Sequence, residues 1–114
     1  MENQKKTRVY IAGKVSGLNM SDVRKKFLHR QRELEAEGFI VINPVERILN
    51  VNLAKVQMGE PPLTEDENRK EILGICLYDL SQCDELHLLH DWEVSPGALL
   101  EVSFAERLGM KIVP

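Results

Sequence analysis

Apolar positions along the chain follow two rhythms. Short β-branched or aromatic runs bounded by Gly, Pro or Asn predict strands, and longer stretches with helical spacing predict helices. Arg8-Val9-Tyr10-Ile11-Ala12, ended by Gly13, predicts strand one. After a loop over Gly13 to Gly17, Ser21 is the expected N-cap of a helix reaching Glu37, with Val23, Phe27 and Leu34 on one stripe and Leu28 beside them. Gly38 supplies a left-handed stop. Phe39-Ile40-Val41-Ile42 predicts strand two, apolar throughout as for a parallel strand covered on both faces. Asn43-Pro44 ends it.

Residues 45–63 are the least regular part. Val45 to Val56 carries scattered apolar positions that suit a short helix or a packed loop, and Met58 to Pro62 reads as loop. This connection is either a lid or specificity segment or a variable insertion with no ligand role. Thr64-Glu65-Asp66-Glu67 has the form of a capping box opening a helix with Ile72, Leu73, Cys76, Leu77 and Leu80 at helical spacing. Asp84 to Leu89 predicts strand three, the stretch after it a helix to Gly109, and Lys111-Ile112-Val113 strand four. The order β-α-β-(loop)-α-β-α-β demands a parallel sheet with right-handed crossovers and helices on both faces. The expected fold is therefore α/β: a small flavodoxin/Rossmann-like domain with a four-stranded parallel sheet, one domain over residues 1–114.

Composition narrows the function. With 114 residues, 43% apolar and 29% charged, the chain fits a soluble globular protein. A net charge of −3 argues against a nucleic-acid polymer as partner, although a small phosphorylated ligand needs only helix N-termini and a Lys or Ser. No apolar run suits a membrane span. The start, Met1 to Lys6, lacks the hydrophobic segment of an export signal, so a cytoplasmic location is expected, with Cys76 and Cys83 as reduced helix-face thiols.

Several constellations could carry chemistry. Gly13-x-x-x-Gly17 after strand one is neither the dinucleotide fingerprint nor a Walker loop, and its glycines serve backbone turns as readily as a phosphate. Lys14 and Ser16 would be the polar contacts there. His87 and His90, three apart on a strand, point to opposite faces, so no metal site is expected, and no cofactor. His90 and Asp91 remain candidates for lining a pocket at the strand's carboxyl end. The strongest candidate is Glu101, whose helix face carries Gly97, Ala98 and Ala105 and so leaves room for a ligand. Its place near the helix's positive end should keep it ionised. The competing reading pairs it with Arg107, Lys111 or another base.

Taken in order, Val9-Tyr10-Ile11-Ala12-Gly13-Lys14-Val15-Ser16-Gly17, Gly38 to Pro44, Cys83-Asp84, Trp92 and Ser95-x-Gly97-Ala98-x-x-Glu101 give a pattern spanning nearly the whole chain. It resembles the nucleoside 2-deoxyribosyltransferase-like superfamily, and within it a small bacterial and phage branch classed as a domain of unknown function. The resemblance implies cleavage of the N-glycosidic bond of a 2′-deoxynucleoside or its 5′-phosphate by a glutamate nucleophile four residues after a glycine, here Gly97 and Glu101. It implies a phosphate-binding serine at Ser95, and it brings Tyr10, Gly13, Ser16 and Gly17 into the site. Asn43 and Asp91 join the ligand-binding set, and Trp92 would stack on the base or wall the pocket. It also implies a homo-oligomer. One position departs: the superfamily's aspartate eight residues ahead of Asp84 is Cys76 here. Asp79, Asp91 or the Tyr78 hydroxyl are the available substitutes. The alternative function is a module that binds a nucleotide-derived ligand without turnover, as a sensor or partner protein.

Overall fold

The computed structural model describes residues 6–114, so the polar start, apart from Lys6, lies outside the described residues. The elements run β1 (Arg8–Ala12), α1 (Met20–Ala36), β2 (Ile40–Ile42), α2 (Pro44–Gln57), α3 (Arg69–Ser81), β3 (Glu85–Leu88), α4 (Pro96–Arg107) and β4 (Lys111–Val113), with a 3-10 turn over Trp92–Val94 before α4. All strand pairs are parallel, in the order β2-β1-β3-β4. This is the expected small flavodoxin/Rossmann-like α/β sheet.

Alternation along β1 divides the core between the two faces of the sheet. Tyr10 and Ala12, with Leu86 of β3, pack against Cys76 and Leu80 of α3 and Ala98 and Ala105 of α4. Val9 and Ile11 turn the other way, onto Val23, Phe27 and Leu34 of α1. The chain leaves β1 towards β2 on one side and continues from β3 towards β4 on the other. Strand order therefore reverses between β1 and β3, where open α/β sheets bind ligands at the carboxyl edge.

The structure corrects several local expectations. Helix α1 is capped by Asn19, whose side chain accepts from the Asp22 N–H at 3.2 Å, and Ser21 lies inside the helix. Gly38 does take the left-handed conformation, with φ +98°. Strand β2 is an edge strand with Ile40 exposed, so it is not covered on both faces. The ambiguous segment after it is a regular helix, α2. Asn43 caps it by accepting from the Val45 and Glu46 N–H groups, and Pro44 sits at the first helical position, where its missing N–H is harmless. Thr64 does not open α3. Residues 64–68 close on themselves as a turn, with Thr64 N–H on Asn68 Oδ1 at 2.8 Å and Asn68 N–H on Thr64 O at 2.8 Å, and α3 begins only after Asn68.

Candidate functional site

The loops after β1 and β3 meet α2, α3 and the start of α4 around a cleft of about 660 Å³ at the carboxyl edge of the sheet, a size typical of small-molecule sites. Gly13, Lys14 and Ser16 line it from the β1 loop, and Ser95, Gly97 and Glu101 from the start of α4. The opposite wall is largely apolar: Val45, Ile48 and Leu49 of α2 face Ile72 and Leu73 of α3, with Leu63 between the two helices in sequence.

Glu101 is buried, and its carboxylate accepts a hydrogen bond from the hydroxyl of the fully buried Tyr10. No basic group lies within ion-pair distance of it among the described residues, so neither Arg107 nor Lys111 neutralises it. Burial raises its pKa from 4.5 to about 7, with the Tyr10 hydroxyl pulling the other way. This overturns the expectation of a fully ionised group at the helix's positive end. Glu101 is the sixth residue of α4, past the first turn where that field acts. Tyr10 does not line the cleft but supports Glu101 from the core side, and burial together with the adjacent carboxylate pushes its own pKa well above the usual value.

Ser95 caps α4, its Oγ accepting from the Ala98 N–H at 3.1 Å and donating to the Gly13 carbonyl at 3.4 Å. The hydroxyl thereby ties the β1 loop to α4. Gly97 is open. A Cβ built there would meet only Ser95 Oγ, at 4.0 Å, so neither packing nor backbone conformation requires a glycine, and the space its side chain would fill belongs to the cleft. Gly13 differs, since its Cβ would lie 2.7 Å from Leu89 Cδ1 and 2.9 Å from Leu89 Cβ. Packing alone demands that glycine.

Four expected ligand residues lie off the cleft lining. Gly17 takes φ +78° in an exposed turn. Asn43 is spent on capping α2 and on Gln31 of α1, at 3.0 Å from its Nδ2. Asp91 accepts from the Lys14 N–H at 3.0 Å and pairs with Lys26 Nζ at 2.5 Å, while Lys26 also donates to the Lys14 carbonyl. Burial opposes ionisation of Asp91, but these donors outweigh it and hold its pKa below the usual value. Its role is to stake the β1 loop. Trp92 packs against the α3–α4 side of the core.

Of the other candidates, Cys76 lines the cleft and His87, His90, Cys83, Asp79 and Tyr78 do not. His87 is buried, with Nε2 at 2.9 Å from Glu85 Oε1 and its ring edge-on to Phe39, whereas His90 is exposed in the turn after β3. No group of three or more possible metal ligands occurs among the described residues. Cys76 and Cys83 are free and buried, and Cys83 lies beyond the end of α3 rather than on its face. Asp79 pairs with Arg47 at 2.8 Å and Tyr78 is exposed, and neither lines the cleft. With Asp91 held by Lys26, all three expected substitutes for an aspartate at Cys76 are thus away from the site.

Sequence reasoning missed part of the lining. Lys26, which anchors the β1 loop, lay unnoticed on the charged side of α1. Asn52, Glu65 and Arg69 line the cleft from α2, the 64–68 turn and the start of α3. Arg69 has no carboxylate within ion-pair distance among the described residues. Only the unequal spacing of apolar and polar residues over 45–69 hinted at a wall there.

The fold is a small doubly wound α/β domain with a cleft at its switch point. Across residues 7–114 the chain matches, and belongs to, the family described as a domain of unknown function (DUF4406). A search of curated proteins finds no match to it.

Proposed function

We propose that the protein is an N-glycosidase or deoxyribosyltransferase acting on a 2′-deoxynucleoside 5′-phosphate or its nucleoside, with Glu101 as nucleophile. The observation that carries this reading is Glu101 itself: a buried carboxylate with one neutral donor and no cation, beside an unobstructed Gly97, in a cleft at the switch point. A carboxylate so placed is free to bond to C1′ of a sugar. The departing base leaves a glycosyl-enzyme that water or a second base then resolves. The resemblance to deoxyribosyltransferase-like enzymes supports the same assignment.

The phosphate grip in this reading is the junction of the β1 loop and α4. Pro96 has no N–H, Ala98 N–H is taken by Ser95, and Gly97 N–H has no acceptor among the described residues. Helix-terminal N–H groups of this kind suit an anion. Ser95 Oγ–H can turn from its long bond to Gly13 towards a phosphate oxygen, and Lys14 lines the same cleft, whereas the Ser16 hydroxyl is donated to Glu65 at 3.1 Å. No described helix is long and apolar enough to cross a membrane. A homo-oligomer would have exposed apolar side chains to cover at Leu99 on α4 and at Leu108 just past its end.

Cys76 favours a second reading, binding without turnover. Burial pushes its thiol up to about 11, too reluctant a donor to replace a carboxylic acid. The two readings separate in one experiment: incubation with each deoxynucleoside monophosphate, following free base by chromatography. Base release that disappears in Glu101→Gln supports the enzyme. Release that persists in Glu101→Gln removes Glu101 as nucleophile, and thermal stabilisation by a nucleotide without any release supports the binding module.

A further inference from the structure

Double displacement at a glycosidic carbon typically uses two carboxyl groups, one to bond to the sugar and one to handle protons. Among the described residues two acidic side chains line the cleft, Glu101 and Glu65. We propose that Glu65, on the turn between α2 and α3, is the second carboxyl group, giving its proton to the departing base and then taking one from the attacking water. The proposal rests on the reading of Glu101 as nucleophile.

The turn that carries Glu65 is braced on both sides. Before it, the Asn52 side-chain amide binds both backbone groups of Leu63, accepting from N–H at 2.7 Å and donating to the carbonyl at 3.1 Å. After it, Thr64 and Asn68 exchange two hydrogen bonds, and Thr64 Oγ1 accepts from the Glu67 N–H at 3.3 Å. Its own side chain is held only by Ser16 Oγ, at 3.1 Å, from the β1 loop across the mouth of the cleft. An exposed carboxyl on a braced backbone can exchange its proton with solvent between the two steps of the reaction. Glu65, Glu101 and Cys76 line the same cleft. Asp79 and Asp91 are tied to Arg47 and Lys26, and Asp84 accepts from the Arg8 N–H at the start of β1, the opposite edge of the sheet.

The steps balance. In the first, a Glu101 carboxylate oxygen bonds to C1′ as the C1′–N bond breaks, and the electron pair on nitrogen receives the Glu65 proton. In the second, water oxygen bonds to C1′, its proton goes to the Glu65 carboxylate, and the pair of the C1′–O ester bond returns to Glu101. Both glutamates end as they began.

The test compares two leaving groups in the full chain. Glu65→Gln is expected to slow base release from an ordinary deoxynucleoside monophosphate by roughly 10²–10⁴-fold. It should slow release from 7-methyl-2′-deoxyguanosine 5′-phosphate far less, because that base departs neutral without a proton. Glu65→Asp, which keeps the carboxyl, should recover part of the loss. Equal slowing of both substrates, or no slowing of either, overturns the role of Glu65 even where Glu101 proves essential. Absence of base release by the wild-type chain overturns both assignments together.

Discussion

Glu101 meets one hydroxyl donor and no cation, and its protonation then follows from burial. A carboxyl whose folded pKa lies above its unfolded one holds its proton more tightly in the native state. Native stability therefore falls as pH rises from 4.5 to about 7, and above that range the ionised group carries a penalty on the order of 3 kcal/mol. Melting curves of the wild type and Glu101→Gln should accordingly diverge with rising pH, the variant becoming the more stable. Parallel curves would mean that Glu101 is not buried as described. The two glycines of the site make a second contrast at this scale. Gly13→Ala should cost about 1–3 kcal/mol by overpacking against Leu89. Gly97→Val should leave the melting temperature nearly unchanged yet abolish nucleotide-induced stabilisation, since its side chain enters the cleft. Retained stabilisation in Gly97→Val would place the ligand elsewhere.

At the scale of elements, what the sequence made legible and what it hid have separate physical causes. β1 and the inner stripe of α1 were readable because a parallel central strand and a one-sided helix each carry an unbroken apolar pattern. α2 was harder to read even though Val45, Ile48, Leu49, Leu53 and Val56 share one stripe at about 100° per residue. Only the first half of that stripe lines the cleft, and Leu53 and Val56 at its far end are exposed. The α3 start was misread because Thr64 satisfies a capping-box spacing that the chain uses for a closed turn, and Glu65 was hidden inside that motif. Asn43 was grouped with the ligand residues when its side chain is committed to the first turn of α2. Asn43→Ala should therefore cost about 1 kcal/mol in a denaturant titration, the usual value of an N-cap. An unchanged midpoint would show that the cap is dispensable.

The whole molecule brings together residues that no local window connects. Tyr10 and Glu101 are 91 residues apart and meet only because β1 lies beside β3 and α4 packs over β1. That is why the spacing of Ser95, Gly97 and Glu101 could nominate an acid but not its environment, and why its raised pKa came as a correction. Exposed leucines on α4 and just past its end bear on assembly at the same scale. Leu108→Glu should shift the protein towards monomer in light-scattering chromatography if Leu108 lies in the homo-oligomer contact. A wild type that elutes as a monomer would remove the homo-oligomer from the proposal.

The covalent step is the centre of the proposal, and it can be weighed directly. Protein quenched in acid during incubation with a deoxynucleoside monophosphate should gain the mass of a 2-deoxyribose 5-phosphate unit. Peptide mapping should place that mass on Glu101, and Glu101→Gln should show neither the adduct nor base release. Turnover with no adduct in the quenched wild type, or an adduct on any other residue, would contradict Glu101 as the nucleophile.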